Sequence, residues 1–165
     1  MSEENVEVVR RAYEAWNAGD VQSALLFYDP DVEWDGTNLP DGKVGRGLDA
    51  IMDHLTRWSA MWENWNVEVE RVIDAGGDQV VVFIRETGRS TNGLDMDERH
   101  AELYRIRDGR IVRRQGFSDP NEALKVAEKA PRTSLLMKNK PQHRPGKETT
   151  TQSRKGLVIF VNGIV

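Results

Sequence analysis

The period of the apolar residues changes once along this chain, and that change limits the fold more than any other feature of the sequence. Up to about residue 65, apolar side chains mostly recur every three or four residues, which predicts helices over 2–19, 21–28 and 48–64. Beyond Val67 they alternate in steps of two, which predicts strands over 67–75, 79–87, 95–107 and 110–118. A short strand over 32–35, a glycine-rich loop over 36–47 and a last helix over 122–129 complete the pattern. This order favours an α+β layer, with helices on one face of an antiparallel sheet.

The composition changes near residue 130. Residues 129–155 contain eight Lys or Arg and one acidic residue, a charge of +7, and the whole chain carries -4, so the remainder carries -11. Prolines, threonines and lysines without a hydrophobic period are typical of segments that stay disordered. We predict one domain over 1–130 and a basic, disordered tail over 131–165. Within that tail, the apolar residues 157–161 form either an added edge strand or an exposed, aggregation-prone segment.

The composition also excludes several classes of protein and site. There is no cysteine, so disulfides and thiolate metal sites are impossible. No apolar run approaches the ~20 residues that span a bilayer, and the acidic start of the chain lacks the apolar segment of a secretory signal, so we expect a cytoplasmic protein without a membrane partner. An acidic domain lacks the clustered Lys and Arg that phosphate contacts need, so no nucleic-acid partner is expected for it. No second histidine stands at ligand spacing and no dinucleotide-binding loop is present, so we expect neither a metal nor a cofactor.

The dipeptide Asp108-Gly109 is a strong signal for a two-residue hairpin turn. Such a turn pairs Arg107 with Arg110, and an unbroken ladder beyond it places cross-strand partners on the same face. The predicted cavity face then consists of His100, Glu102, Tyr104, Ile106, Ile111, Arg113, Gln115 and Phe117. The opposite face consists of Ala101, Leu103, Arg105, Val112, Arg114 and Gly116. The first face combines aromatic and convergent polar side chains, as ligand pockets do, and a slip of one residue would exchange the two faces.

Four segments resemble SnoaL-like proteins in their order and spacing. They are residues 4–20 (ENVEVVRRAYEAWNAGD), 29–34 (DPDVEW), 104–111 (YRIRDGRI) and 119–124 (DPNEAL). SnoaL-like proteins belong to the nuclear-transport-factor-two-like superfamily, with ketosteroid isomerases and polyketide cyclases. The resemblance implies a cone-shaped α+β domain in which N-terminal helices pack on a curved antiparallel sheet and enclose a pocket. It implies the function much less strongly, because this fold carries many reactions.

The resemblance also singles out two carboxyl groups. Asp35 falls where ketosteroid isomerases keep their general-base aspartate. Glu102 falls where those isomerases keep a protonated acid that donates to the oxyanion, and where SnoaL-type cyclases keep a catalytic aspartate. A carboxyl group desolvated by aromatic side chains has a raised pKa and can exchange protons near neutral pH. The alternatives are structural: Asp35 caps the following turn, or Glu102 pairs with Arg113 or His100.

One position departs from the isomerase pattern. The residue that corresponds to the isomerases' oxyanion tyrosine is Ala12. Tyr13 lies about 100° further round the helix, so we expect that it does not substitute for that tyrosine. His100 is the only histidine on a predicted cavity strand, and its ordinary pKa near 6.5 makes it a candidate proton carrier.

The leading hypothesis is a cofactor-independent enzyme of isomerase or cyclase type that transfers protons on a small hydrophobic carbonyl compound. Glu102 would be the acid and base and Asp35 a second carboxylate, while His100 and Tyr104 would be orienting donors. The predicted ligand-binding residues are Tyr104, Arg113, Gln115, Phe117, Trp16, Trp34, Trp58 and Trp62. The alternative is a non-catalytic ligand-binding or dimerisation module of the same fold, in which the tryptophans are mostly core. We also predict a homodimer through the opposite face, where Leu103, Val112 and Gly116 form an apolar strip.

Overall fold

The computed structural model shows helices and strands in the order that the change of period predicts, and it describes residues 2–40, 42–129 and 157–160. The helices are α1 (Ser2–Asn17), α2 (Val21–Leu25), α3 (Leu48–Ser59) and α4 (Pro120–Lys129). The strands are β1 (Tyr28–Asn38), β2 (Val44–Arg46), β3 (Trp62–Gly76), β4 (Gln79–Ser90), β5 (Asp95–Arg107), β6 (Arg110–Phe117) and β7 (Leu157–Phe160).

The strands form one sheet in the order β2-β1-β6-β5-β4-β3-β7. Strands β3 to β6 are an antiparallel meander, whereas β1 pairs with β6 in parallel. Strands β1 to β6 make a curved open sheet, and register shifts in β1 and β3 interrupt its ladders, as β-bulges do where a sheet bends. The predicted α+β class, with helices packed on a curved sheet, is confirmed.

Apolar side chains cover both faces of this sheet. On the inner face, Val9 and Ala12 of α1 and Ile51 of α3 pack against side chains of β1, β4, β5 and β6. On the outer face, α4 packs on Val81, Leu103 and neighbouring side chains through two of its alanines. Burial on both faces explains why consecutive residues of β4 are apolar. The cavity lies on the inner face, so α1, α3 and the curved sheet position it.

Several element boundaries differ from the sequence-based prediction. Helix α2 ends at Leu25, and residues 29–31, which lie between the predicted helix and the predicted strand, belong to β1. Pro30 is tolerated there because the ladder with β6 is interrupted between Tyr28 and Glu33, so no regular pairing needs its missing N–H. The predicted loop over 36–47 contains β2, and α3 ends at Ser59, so that residues 62–64 begin β3.

The hairpin turn is confirmed, but the register beyond it was predicted wrongly. Asp108 and Gly109 both have positive φ, 51° and 72°, as a type I′ turn requires. Arg107 pairs with Arg110 and Ile106 with Ile111 as predicted, but the next pair is Arg105 with Arg113, so Val112 is an extra residue in β6. A β-bulge of this kind exchanges the two faces of the strand beyond it.

The bulge changes which residues of β6 face the cavity. Tyr104 pairs with Arg114 and Glu102 with Gly116, so Arg114 and Gly116 share the inner face. The residues predicted on that face, Arg113, Gln115 and Phe117, point to the outer side instead. Phe117 packs with the α4 cluster on the outer face. The prediction for β5 holds, whereas the prediction for β6 beyond Val112 is wrong.

The apolar strip that the sequence pattern indicated as the dimer surface is covered in the structure. Leu103 is only 5% exposed because α4 covers it. The Leu39 side chain covers Gly116, and Arg114 lies on the inner face. The apolar strip is therefore not an exposed surface. The homodimer itself stays a prediction.

Most of the predicted tail, residues 131–156, lies outside the described residues. Its four described residues, β7, pair antiparallel with β3, with Leu157 opposite Val69 and Phe160 opposite Asn66. Of the two alternatives for this apolar run, the structure shows the edge strand. Among the described residues, no helix has the length and apolar character needed to span a bilayer.

Candidate active site

A cavity of about 460 Å³ lies between helices α1 and α3 and the inner face of the sheet. Its volume is in the range that encloses small organic ligands. Six aromatic side chains line it: Tyr13, Trp16, Tyr28, Trp58, Trp65 and Tyr104. Polar and charged side chains stand among them, including Glu86, His100, Glu102 and Arg114. The cavity is therefore mostly apolar, with polar groups that converge from the sheet.

The secondary structure explains why these side chains meet. Strand alternation puts His100, Glu102 and Tyr104 on one face of β5, as predicted. The bulge at Val112 turns Arg114 of β6 to the same face, opposite Tyr104. Helix α1 crosses this part of the sheet and brings the hydroxyl of Tyr13 to the buried carboxylate.

Glu102 is the centre of a buried hydrogen-bond network, and its side chain is 0% exposed. Its Oε1 accepts a hydrogen bond from Nη2 of Arg114. Its Oε2 accepts from the hydroxyl of Tyr104 and, at 2.9 Å, from the hydroxyl of Tyr13. The two hydroxyl oxygens are 2.8 Å apart, and Nε2 of His100 lies 3.7 Å from Oε1 of Glu102. A buried carboxylate needs such partners, because an unpaired buried charge strongly lowers the free energy of unfolding.

The protonation of the network follows from its charges. Burial acts to raise the pKa of Glu102, but the charge of Arg114 and the hydrogen bonds from Arg114 and His100 hold that pKa well below its usual range. Burial acts to lower the pKa of His100, but the hydrogen bond and charge of Glu102 and the charge of Glu86 raise it. Glu102 is therefore a fixed anion and a weak base, while His100 is held closer to its cationic form.

The two tyrosines are neutral hydrogen-bond donors. Burial and the charge of Glu102 raise the pKa values of both Tyr13 and Tyr104 well above the ordinary value. Arg114 stays charged, because the charge of Glu102 raises its pKa although burial acts to lower it. The Arg114 guanidinium also lies 5.8 Å from the ring centroid of Trp34, within the range of a cation–π contact.

Glu86 is a cavity residue that the sequence analysis missed. It lies on β4 opposite Glu98, and its pKa is raised because it is buried, with a further rise from the charge of Glu102, although His100 acts to lower it. The signal was present in the sequence: Val80, Val82, Ile84 and Glu86 alternate along one face, so a carboxylate continues an apolar row.

Asp35 does not lie in the cavity with Glu102. On β1 it faces the outer side, where it accepts from the backbone N–H of Thr37 at 3.1 Å and from Nη2 of Arg113 at 2.9 Å. The hydrogen bonds from Thr37 lower its pKa most, and the charge of Arg113 lowers it further, although burial opposes them. The expectation that Asp35 and Glu102 share a site is wrong, and this geometry is that of the turn-capping alternative.

The remaining predicted residues divide between the cavity and its surroundings. The cavity is lined by Glu102, His100, Tyr104, Trp16 and Trp58. Arg113 and Gln115 lie instead beside a small outer pocket, and Phe117 is in the α4 cluster. Trp34 and Trp62 pack behind the lining: Trp34 lies 3.8 Å from the ring of His54, and Trp62 lies 5.6 Å from the ring of Trp58, measured between centroids.

The hydroxyl of Tyr13 reaches the network although Tyr13 lies one position beyond the isomerase tyrosine. Ala12, at the corresponding position, is 1% exposed and packs in the inner core. Among the described residues, no group of three or more His, Asp or Glu side chains is arranged to hold a metal ion.

Residues 9–114 match the family model of the SnoaL-like domain. The chain belongs to this family. Among functionally curated proteins, none matches it. The family explains the combination of a curved sheet, an N-terminal helix across it and a cavity between them.

Solved structures with a similar fold cover nearly the whole domain. TerC, co-crystallised with polyporic acid, is 22% identical, with a TM-score of 0.62 over 76% of this chain and 98% of its own. A putative polyketide cyclase from Xanthomonas campestris pv. campestris is 20% identical, with a TM-score of 0.56 over 76% of this chain and 97% of its own. A protein with a ketosteroid isomerase-like fold from Catenulispora acidiphila, in complex with trimethylamine, is 21% identical, with a TM-score of 0.58 over 67% of this chain and 84% of its own. At these identities the similarity shows the fold, and the fold is nuclear-transport-factor-two-like.

Proposed function

We propose that the cavity binds a flat, hydrophobic carbonyl compound and that the protein transfers a proton at the carbon next to the carbonyl, without a cofactor. The observation that carries this proposal is His100 beside the buried Glu102–Arg114 pair, in a cavity lined by aromatic rings. Proton abstraction next to a carbonyl is the first step of both isomerisation and aldol-type cyclisation. The polyketide cyclase fold of a structural neighbour is in keeping with this chemistry.

His100 is the proposed base, a role that the sequence analysis gave to Glu102. The low pKa of Glu102 makes it a weak base, whereas the anion beside the imidazole stabilises the imidazolium that forms when His100 accepts a proton. The C–H bond breaks, its proton moves to the imidazole, and its electrons leave a negative charge on the carbonyl oxygen. The proton then returns to another carbon in an isomerisation, or the enolate carbon attacks a second carbonyl in a cyclisation.

Tyr13 is the proposed donor to the enolate oxygen. Its hydroxyl has two acceptors within 2.9 Å, Glu102 and Tyr104, but only one proton to donate. Rotation of that hydroxyl would direct its proton to a ligand oxygen. Glu102 would still accept from Tyr104 and Arg114, so no buried charge would lose all of its partners. Preorganised donors of this kind stabilise charge that develops in the transition state.

The test is solvent deuterium exchange. The full chain is incubated in deuterium oxide with β-tetralone, a flat bicyclic ketone, and loss of the α-proton signal is followed by NMR. General-base catalysis contributes about 100-fold or more, so we expect His100→Gln to lose catalysed exchange by that factor. Glu102→Gln should lose exchange while it retains ketone binding. The matched control is His54→Gln, which removes an imidazole from the same cavity, on α3, and should change the rate by less than about threefold.

Two results would contradict the proposal: no exchange above the buffer rate by the wild-type protein, or full exchange by His100→Gln. The first result, with ketone binding retained, would favour the second candidate function, a binding module without chemistry. One observation favours that candidate: Arg114, Tyr13 and Tyr104 together satisfy both oxygens of Glu102. Quenching of tryptophan fluorescence by the ketone would measure binding independently of turnover.

A further inference from the structure

Among the described residues, a carboxyl group of the cavity lies outside its ion pairs. Arg114 neutralises Glu102, and Arg99, at the cavity edge, pairs with Glu70 at 2.9 Å. Glu86 also lines the cavity, but within the described part of the chain it makes no ion pair. Its half-buried carboxylate therefore faces the ligand space outside these ion pairs, with His100 as a diagonal neighbour whose charge acts on it.

Aromatic and apolar side chains flank this carboxylate on the β3 side. The register places Glu86 opposite Val67 on β3 and Glu98 on β5. Trp65 pairs with Gly88, so it is a diagonal neighbour of Glu86 on the same face. Trp58 of α3 lines the same cavity. Tryptophan faces attract organic cations, and the attraction increases when the cation is desolvated.

We propose that the ligand of this cavity carries a protonated amino group in addition to its hydrophobic ring system, and that the ammonium lies against Glu86 and the neighbouring indole rings. This inference rests on the proposed function, because it names the class of substrate for the same cavity. The substrate would be a hydrophobic amino ketone, with its carbonyl at Tyr13 and His100 and its ammonium at Glu86. A carboxylate or phosphate at the second position would meet Glu86 and Glu98 and be repelled.

The protonation of Glu86 agrees with this assignment. Burial raises the pKa of this carboxyl, so its anionic form is less stable in the cavity than in water. A bound ammonium would offset that loss through a charge-assisted hydrogen bond, which is stronger than a neutral one. Glu86 and a cationic ligand would therefore stabilise each other's charged forms.

The experiment compares three probes that share the tetralin ring system: the β-amine, the unsubstituted hydrocarbon and the β-carboxylate. Calorimetry at neutral pH measures the binding of each to the full chain. We expect the amine to bind at least about tenfold more tightly than the carboxylate. Glu86→Gln should weaken the amine by about tenfold and leave the hydrocarbon within about twofold, which also shows that the variant is folded.

The control variant is Glu33→Gln, on the outer face, where Glu33 lies 3.6 Å from Arg113. It should leave the affinities for all three probes unchanged. Tighter binding of the carboxylate than of the amine would overturn the inference, and so would an amine affinity that Glu86→Gln leaves unchanged. Because binding is measured here without turnover, failure of this inference is distinguishable from failure of proton exchange, which His100→Gln tests.

Discussion

Replacement of Arg114 by methionine tests how the buried network is built. The change removes the cation that neutralises Glu102, whose side chain is 0% exposed, and retains an unbranched apolar stem. Removing one partner of a buried pair costs about 3–5 kcal/mol, because the other charge remains buried and unpaired. For a chain of this size such a loss lowers Tm by roughly 10 °C.

Arg113 provides the matched control, since it is the adjacent residue on the opposite face. Its side chain is 38% exposed and pairs with Asp35 and Glu33. Exposed pairs of this kind are worth about 0–1 kcal/mol, so Arg113→Met should lose no more than that. An unbroken hairpin register would predict the reverse order, because Arg113 would then face Glu102. The comparison therefore tests the bulge at Val112 directly.

The assay is urea unfolding followed by tryptophan fluorescence, with the free energy of unfolding taken by linear extrapolation. The double variant Glu102→Gln with Arg114→Met should recover about 1–3 kcal/mol of the loss, because no buried charge is left. In Arg114→Met, the unpaired Glu102 should have a raised pKa, so its penalty is present at high pH and is relieved as the pH falls through that pKa. A larger loss for Arg113→Met than for Arg114→Met, or equal losses, would refute the register and the network together.

Three further predictions concern pH, the tail and assembly. Because the folded pKa of His100 is raised, its contribution to the free energy of unfolding is full below about pH 6.5 and is lost as the pH rises through the folded pKa. The stability advantage of the wild type over His100→Gln should therefore shrink over that pH window. An advantage that grows with pH would contradict this prediction. Truncation after Ala130 should leave Tm nearly unchanged, and a large loss would mean that residues 157–160 stabilise the edge of β3. Sedimentation at micromolar concentration should show a homodimer, and a monomer would remove that prediction.

The fold was accessible from sequence because its signals are local and repeated. The helical spacing in α1, the alternation in β5 and the Asp108-Gly109 turn each predict one element, and each element is found. The bulge at Val112 was not accessible, since no glycine marks it and two arginines follow it. One extra residue then exchanges the faces of the two arginines, so that Arg114 and not Arg113 lies on the inner face. Because both residues are arginines, their type gives no sign of this exchange.

The site could be predicted only where side-chain alternation was unbroken. His100, Glu102 and Tyr104 on β5 were predicted on the cavity face and lie there. Arg113 was not placed correctly because of the bulge at Val112. Asp35 was not placed correctly because its face depends on irregular pairing between β1 and β6, which spans about 80 residues of sequence. Long-range pairing of this kind leaves no local pattern to read.

The central claim, that a hydrophobic carbonyl compound binds against His100, is tested most directly by NMR of the protein labelled in its histidine, tryptophan and glutamine nitrogens. β-Tetralone is titrated to saturation, and the imidazole signals of His100 are followed with the indole N–H signal of Trp65 and the side-chain amide of Gln115, which lies on the outer face. We expect the His100 and Trp65 signals to shift together along one binding curve while the Gln115 signal stays fixed. Saturable binding of the ketone with the His100 signals unmoved would contradict it.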